Sequence, residues 1–281
     1  MKLQEAYLFY SNKLAEISIH NPSNETRIII KYVLDIQDID FIINSHILLT
    51  EHQVNSLQEI FIKRIQGIPL AYILNSQFFW KHDFYVNENV LIPRQDTETL
   101  VETFLKYFPD KKKSLNILEI GVGSGCLILS VLDEYKNSQG IGIDISLDAL
   151  NIAHVNAKNL DLEDRICLVQ SDLFDRVHGK FDVIISNPPY IDEQDDEIAD
   201  DVKLFEPHIA LFAKNNGLFF YEEILKNAKK YFNKDGLIFF EIGYKQSKDV
   251  LNIAMFYGFF HVETCKDLSN KDRVIVLKME S

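Results

Sequence analysis

The sequence predicts a doubly wound α/β domain with a small helical domain in front of it. Three observations carry that reading. From residue 114 onward, short apolar runs alternate with helical patterns, as in a mostly parallel sheet with helices on both faces. The first of these runs empties into a glycine-rich turn, Gly121-Val122-Gly123-Ser124-Gly125. Before residue 75, by contrast, the apolar residues recur only at helical spacing. A chain of 281 residues, 47% of them hydrophobic, has room for one large α/β domain and a smaller companion.

The expected division is 1–75 for the helical domain, 76–93 for a linking β-hairpin and 94–281 for the α/β domain. In the first part, Leu3, Ala6, Tyr7, Tyr10, Leu14 and Ile17 mark one helix, and Pro22 opens a second that runs to Leu34. A short apolar segment follows around Phe41 to Leu49. Thr50 and Gln53 have capping-box spacing ahead of a helix carrying Val54, Leu57, Phe61 and Ile65, which Gly67 and Pro69 end. No catalytic constellation lies here. The segment reads either as a packing extension or as a substrate-docking module, and the second is preferred.

Phe78-Phe79-Trp80 and Phe84-Tyr85-Val86 flank Lys81-His82-Asp83, a hairpin pattern. After Pro93, Asp96 or Thr97 is expected to cap a helix bearing Leu100, Val101 and Phe104. Arg94 and Glu98 flank that cap, placed either to pair with each other or to face the active site. Five strands are then expected, near 116–120, 140–144, 165–170, 181–186 and 237–242. Helices span 126–135 and 147–159, the latter capped by Ser146, and another covers about 246–257. Two last strands, 259–264 and 273–278, are joined by too few residues for a crossover helix and must pair antiparallel.

Composition narrows the classes. The net charge of −13 disfavours a polyphosphate partner, because non-specific nucleic-acid affinity depends on Lys and Arg neutralising phosphates. Cys126, Cys167 and Cys265 are far apart, lie in or beside apolar runs and are expected as buried free thiols. No CxxC or HxxxH spacing suggests a metal. The first residues contain an early acid and no long apolar core, so no signal peptide is expected, and no uncharged apolar run approaches 18 residues. A cytoplasmic monomer is the expectation.

The chemistry sits at strand ends. Glycines at the first strand–helix turn allow a ligand close to the backbone. Cys126 stands where a dinucleotide fingerprint needs its third glycine, and the lysine of a phosphate loop is absent. Asp144, ending the second strand, is placed to take both hydroxyls of an adenosine ribose. Ser171-Asp172-Leu173-Phe174, after the third, is expected to border the adenine position. The fourth strand, Phe181 to Ser186, stops at Asn187-Pro188-Pro189-Tyr190. Two prolines forbid further sheet pairing. Taken alone, this is either a stiff loop that ends a strand or a corner for a planar –NH2 group. In the second case carbonyl oxygens of Asn187 and Pro188 accept its hydrogens and the Tyr190 ring lies on its plane.

With the glycine loop, Asp144 and NPPY in this order, the sequence resembles the class I S-adenosylmethionine-dependent methyltransferases that act on a planar nitrogen. Gly67-Ile68-Pro69-Leu70-Ala71-Tyr72, Phe79-Trp80, Leu91-Ile92-Pro93-Arg94 and Asp96-Thr97-Glu98 narrow the likeness to the HemK-type release factor glutamine methyltransferases. Glu206-Pro207, Ala210-Leu211, Gly217-Leu218 with Tyr221, Glu241-Ile242-Gly243 with Gln246, and Asp272-Arg273 agree with it. The resemblance implies a seven-stranded, mostly parallel sheet with its last strand antiparallel. It implies that Gly121, Val122, Gly123, Ser124, Gly125, Asp144, Asp172, Leu173 and Asn187 bind S-adenosylmethionine, leaving S-adenosylhomocysteine as product. Asn187, Pro188, Pro189 and Tyr190 would hold the glutamine of the Gly-Gly-Gln loop of class I release factors, with Asn187, Pro188 and Tyr190 in catalytic roles. Gln95 departs from a common proline, and Leu173 from a frequent aromatic beside the adenine. Asp96-Thr97-Glu98 favours the release-factor branch over a ribosomal-protein glutamine methyltransferase. An adenine-N6 nucleic-acid methyltransferase would need a basic groove and base flipping, and the net charge of −13 with no evident basic, aromatic-interleaved segment argues against it. A silent cofactor-binding scaffold would not need the intact NPPY corner.

Overall fold

The computed structural model describes residues 1–192, 194 and 198–279. They divide into two compact units, Met1–Leu74 and Asn75 onward.

The first unit is helical: α1 (Leu3–Glu16), α2 (Pro22–Leu34), α3 (Asp38–Ile43), α4 (Glu51–Ile65) and α5 (Leu70–Leu74). Its core gathers Leu3, Ala6, Leu14, Ile29, Ile30, Leu57 and Phe61, with Tyr10 stacked on Phe61 at 3.9 Å between ring centroids. The capping box at Thr50 and Gln53 is formed in both directions, so two backbone donors that the helix start would leave unpaired are satisfied. Arg64 and Glu25 form a largely buried ion pair between α4 and α2. Ile39, Ile42 and Ile43 of α3 are exposed.

The second unit opens with a hairpin, β1 (Gln77–Phe79) and β2 (His82–Phe84), and then α6 (Glu98–Tyr107). Strands and helices alternate through β3 (Asn116–Ile120), α7 (Cys126–Glu134), β4 (Gln139–Asp144), α8 (Leu147–Asn159), β5 (Ile166–Gln170) and β6 (Phe181–Ser186). An excursion follows: β7 (Ile191–Asp192), α9 (Asp200–Phe205), α10 (His208–Leu211), β8 (Phe212–Ala213) and α11 (Phe219–Ala228). The chain ends with β9 (Phe232–Glu241), α12 (Ser247–Phe256), β10 (Phe259–Lys266) and β11 (Asp272–Met279).

Among the described residues, seven strands form the main sheet in the order β10-β11-β9-β6-β3-β4-β5. Only β11 runs antiparallel to its neighbours, as expected for a class I methyltransferase sheet. The pleat sorts the core in two. Ile117, Val183, Ile185, Phe239 and Val276 face α6, α7 and α8, while Leu118, Ile184, Ile238, Phe240 and Leu277 face α11 and α12. The winding reverses beside β3: β4 and β5 lie on one side and β6 on the other. Open α/β sheets bind ligands at such a reversal, outside the carboxyl ends of the strands.

Three local expectations are corrected. Neither Asp96 nor Thr97 caps α6: residues 95–97 form a 3-10 turn continuous with the helix, so Thr97 is itself helical and its hydroxyl turns inward. Of the two readings of Arg94 and Glu98, the ion pair between them is not formed, whereas Arg94 does line the cavity at the strand ends. Arg94 pairs with Glu206, and Glu98 accepts from the Trp80 backbone N–H at 2.9 Å. Cys167 is exposed, since β5 is an edge strand with an uncovered outer side, while Cys126 and Cys265 are half-buried. All three are free thiols.

Candidate active site

A cavity of about 340 Å³ opens at the reversal, lined by the ends of β3, β4, β5 and β6. That volume falls in the range of small-molecule sites.

One wall is the turn after β3. The Gly121 and Val122 N–H groups both bond to the Ile143 carbonyl at 2.9 Å, tying this turn to β4. Gly121 and Gly123 have positive φ, and a Cβ built on either meets open space, so close backbone approach to a ligand is available there. Gly125 has a different task. A Cβ on it would meet Leu129 at 3.0 Å and Ala153 at 3.3 Å, so it packs α7 against α8 and does not line the cavity.

Asp144 lies at the end of β4. One carboxyl oxygen accepts from Gly123 N at 3.0 Å and the other from Ser146 N at 2.9 Å. Burial raises its pKa above the ordinary carboxylate value, and those backbone donors pull it partly back. Asp172 and Leu173 complete this side. Leu173 has φ +44°, unusual for a bulky residue, and its carbonyl accepts from the Ser171 hydroxyl at 2.8 Å. Asp172 is exposed at the rim.

Opposite lie Asn187, Pro188 and Pro189. Tyr190 does not line this cavity. Its hydroxyl points to the Glu241 carboxyl, at 3.4 Å from Oε1, and its carbonyl accepts from Gln246 Nε2 at 2.9 Å. Gly217 presses on the same carbonyl: with φ +80°, a Cβ there would sit 2.0 Å from the Tyr190 oxygen. Asn187 Nδ2 donates toward Thr97 Oγ1 at 3.4 Å.

Further residues complete the cavity wall. Glu119, ending β3, is buried beside the cavity and accepts from Ile128 N at 3.0 Å; burial holds its pKa well above the ordinary value. Ile145 lies on the cavity wall yet is largely exposed, an apolar face beside Asp144. Arg94 lines the cavity and pairs with buried Glu206, which also accepts from Ile92 N at 3.2 Å. The α11 residues Phe219 and Phe220 contribute from a helix the sequence reading did not mark. Among the described residues no His, Cys, Asp and Glu cluster fits a metal ion, and no helix is long and apolar enough to cross a membrane.

Comparison with known proteins agrees with this architecture. Residues 94–215 match the methyltransferase small domain and residues 5–74 match the PrmC N-terminal domain. The chain is 34% identical to the release factor glutamine methyltransferase of Caulobacter vibrioides, covering 98% of this chain and 96% of that one. With the enzyme of the same name from Clostridium acetobutylicum it shares 35% identity, at 98% coverage of both. A bifunctional methyltransferase of Rickettsia bellii is 37% identical over 95% of this chain. Of that longer relative the chain spans about half, 53%. Among solved structures, a methyltransferase from Pyrococcus furiosus shares the fold at 16% identity, with a TM-score of 0.54 over 71% of this chain and 89% of that one.

Proposed function

The chain belongs to the release factor glutamine methyltransferase family, and from that premise we propose that it transfers a methyl group from S-adenosylmethionine to the side-chain nitrogen of a glutamine. The glutamine is that of the Gly-Gly-Gln loop of class I peptide chain release factors. One observation carries the reading: the glycine turn, Asp144 and the Asn187–Pro189 corner converge on one cavity.

The residues suit the cofactor. Gly121 and Gly123 leave open space where a ligand backbone can approach, and Asp144, Leu173 and Ile145 offer an acceptor with apolar faces beside it. When bound, S-adenosylmethionine supplies an electrophilic methyl on a sulfonium. Val122, Ser124, Asp172 and Asn187 complete the set of cofactor contacts, with Gly125 holding the turn from beneath.

The target nitrogen is a poor nucleophile, because its lone pair is delocalised into the amide carbonyl. Asn187 Oδ1 and the Pro188 carbonyl accept its two hydrogens, which raises electron density on nitrogen and favours pyramidalisation toward the methyl. Tyr190 fixes the amide plane. Carbonyl dipoles set toward developing positive charge act as electrostatic preorganisation, and orientation supplies roughly 7–11 kcal/mol of barrier lowering. No general base is needed before transfer, since the proton can leave from the product to water.

The helical unit acts as a substrate-docking module in this reading. The exposed Ile39, Ile42 and Ile43 support it, since an apolar group on a surface helix suits a protein partner. Net charge −13 argues against nucleic acid as substrate. Because its substrates are translation factors, we take the enzyme to work in the cytoplasm, as a monomer.

The deciding assay incubates the protein with S-adenosylmethionine and a class I release factor, then locates the added methyl by mass spectrometry. Methylation of the Gly-Gly-Gln glutamine is expected. An unmodified release factor alongside a methylated DNA or ribosomal-protein control would overturn the reading.

A further inference from the structure

We propose that Asn156 is the positioning residue of the cofactor turn: its side-chain amide fixes the Ser124 carbonyl and joins the glycine turn to the chain at Tyr85, so that two walls of the cavity hold one arrangement before the cofactor arrives. The inference rests on reading the glycine turn as the S-adenosylmethionine site.

Asn156 lies on α8, is 1% exposed and does not line the cavity. Its amide makes three hydrogen bonds, all to backbone. Oδ1 accepts from Tyr85 N at 2.7 Å, and Nδ2 donates to Tyr85 O at 2.9 Å and to Ser124 O at 2.8 Å. These partners fix which way round the amide sits, because the Tyr85 N–H only donates and the two carbonyls only accept. Both amide hydrogens are matched, as burial requires.

The Ser124–Gly125 peptide needs such a hold. Gly125 has φ +79° and no Cβ, so rotation of the peptide unit before it meets little steric resistance. A trans peptide carries its C=O and N–H on opposite sides. With the carbonyl drawn to Asn156, the N–H points the other way and meets the Val122 carbonyl at 2.7 Å. Both ends of the unit are thus fixed, and Val122, Gly123 and Ser124 are held where they line the cavity. Gly125 also lets Asn156 come within reach. A Cβ on it would lie 3.3 Å from Ala153 Cβ and 3.5 Å from Ala153 Cα, so α8 packs on the turn at this point. Ala153 and Asn156, three residues apart, share one helix face.

Tyr85 leads to the other wall. It follows β2 and runs into Asn87, whose Oδ1 accepts from Asn89 N at 3.0 Å and whose carbonyl accepts from Val90 N at 3.2 Å. Asn89, Val90 and Leu91 line the cavity. Asn156 therefore sets the spacing between this segment and the glycine turn while itself staying outside the cavity.

This role has a kinetic signature. Gly121, Val122 and Gly123 keep their own bonds to β4 without Asn156, so the turn loosens but does not collapse. A turn that holds the binding arrangement for only a fraction of the time lowers the apparent affinity by that fraction. Because Asn156 makes no contact in the cavity, the loss falls on association, and dissociation of the bound cofactor stays near native.

Two measurements on the full chain test this, with S-adenosylhomocysteine as the probe. In the first, Asn156→Ser, too short to span Tyr85 and Ser124, should bind about tenfold more weakly by calorimetry, and surface plasmon resonance should assign the loss to slower association. Val250→Ala, a buried change in α12 off the cavity wall, is the control for lost stability and should melt lower with native affinity. Native affinity in Asn156→Ser, the same loss in the control, or a loss carried by faster dissociation alone overturns the proposal. The second measurement needs no variant and decides the matter if Asn156→Ser does not fold. The Asn156 side-chain ¹⁵N–¹H resonances of the native protein should shift as S-adenosylhomocysteine is added, saturating together with the Gly123 backbone amide. Asn156 resonances that stay unmoved while Gly123 shifts overturn the proposal. If the native protein binds no S-adenosylhomocysteine, the cofactor reading fails and this inference with it. If it binds and the Asn156 tests fail, only the positioning role falls.

Discussion

The two sides of the cavity are built on different principles. The cofactor side is local: Gly121, Gly123, Asp144 and Leu173 each lie within a few residues of a strand end, and a Gly123–Asp144 hydrogen bond ties two of them together. The substrate side is dispersed. The Asn187–Tyr190 corner is held by Thr97, Gly217, Glu241 and Gln246, from three separate stretches of the chain. A local site gives up function one contact at a time. A dispersed one should fail when any distant support moves, which makes the two halves separable by mutation.

The largest effect is expected at Asn187. Asn187→Ala removes an acceptor that works hardest in the transition state, so kcat should fall by about 10²–10³, the scale of one lost preorganised polar contact. Cofactor affinity, measured by calorimetry, should change far less. A variant that retains turnover, or loses cofactor binding in proportion, would end the distinction between the two sides.

Gly217→Ala comes next and touches no substrate. Its new Cβ would lie 2.0 Å from the Tyr190 carbonyl oxygen and 2.6 Å from Gln246 Nε2. One group must move, and overpacking of this kind costs about 1–3 kcal/mol. A lower melting temperature with a fall in kcat, and cofactor binding close to native, is the expected pattern. Unchanged kcat would mean that the corner does not depend on its distant supports.

This division also decided what the sequence could reveal. Strand ends, the glycine turn, the Ser146 and Thr50 caps and the antiparallel closing strand depend on neighbours within a few residues, so spacing sufficed to place them. Thr97 failed as a predicted cap because its hydroxyl faces Asn187, about 90 positions away, a demand no local pattern carries. Arg94 was legible as a residue facing the site, yet its partner Glu206, more than a hundred residues later, was not. Gly125 was grouped with its neighbouring glycines by spacing, while its environment gives it a packing task. Cys167 looked buried because its run is apolar, and only the sheet order shows that β5 is an edge.

On the cofactor side the effects should be smaller and confined to affinity. Asp144→Ala should weaken S-adenosylmethionine binding about tenfold, as for a lost hydrogen bond to a charged acceptor, with kcat at saturation nearly retained. The native affinity should itself fall with pH. Burial raises the Asp144 pKa, so the proton that blocks the acceptor arrives at a higher pH than for an ordinary carboxylate. Calorimetry across the acidic range would see a weakening that Asp144→Ala lacks. A pH-independent native affinity would remove Asp144 from cofactor binding.

The smallest expected effect is a gain. Leu173 stands on the cavity wall with φ +44°, its carbonyl held by Ser171, so the backbone is fixed in this unusual state whatever side chain it bears. Leu173→Phe should therefore add a ring face beside the adenine position without fresh backbone strain. Aromatic contacts of this kind contribute about 0.5–1.5 kcal/mol beyond area, so S-adenosylmethionine should bind roughly two- to tenfold tighter. Because the contact forms with cofactor alone, kcat for the release factor should hardly move. Tighter cofactor binding with altered turnover would mean that Leu173 reaches across to the substrate corner, and the two sides would then have to be treated as one network.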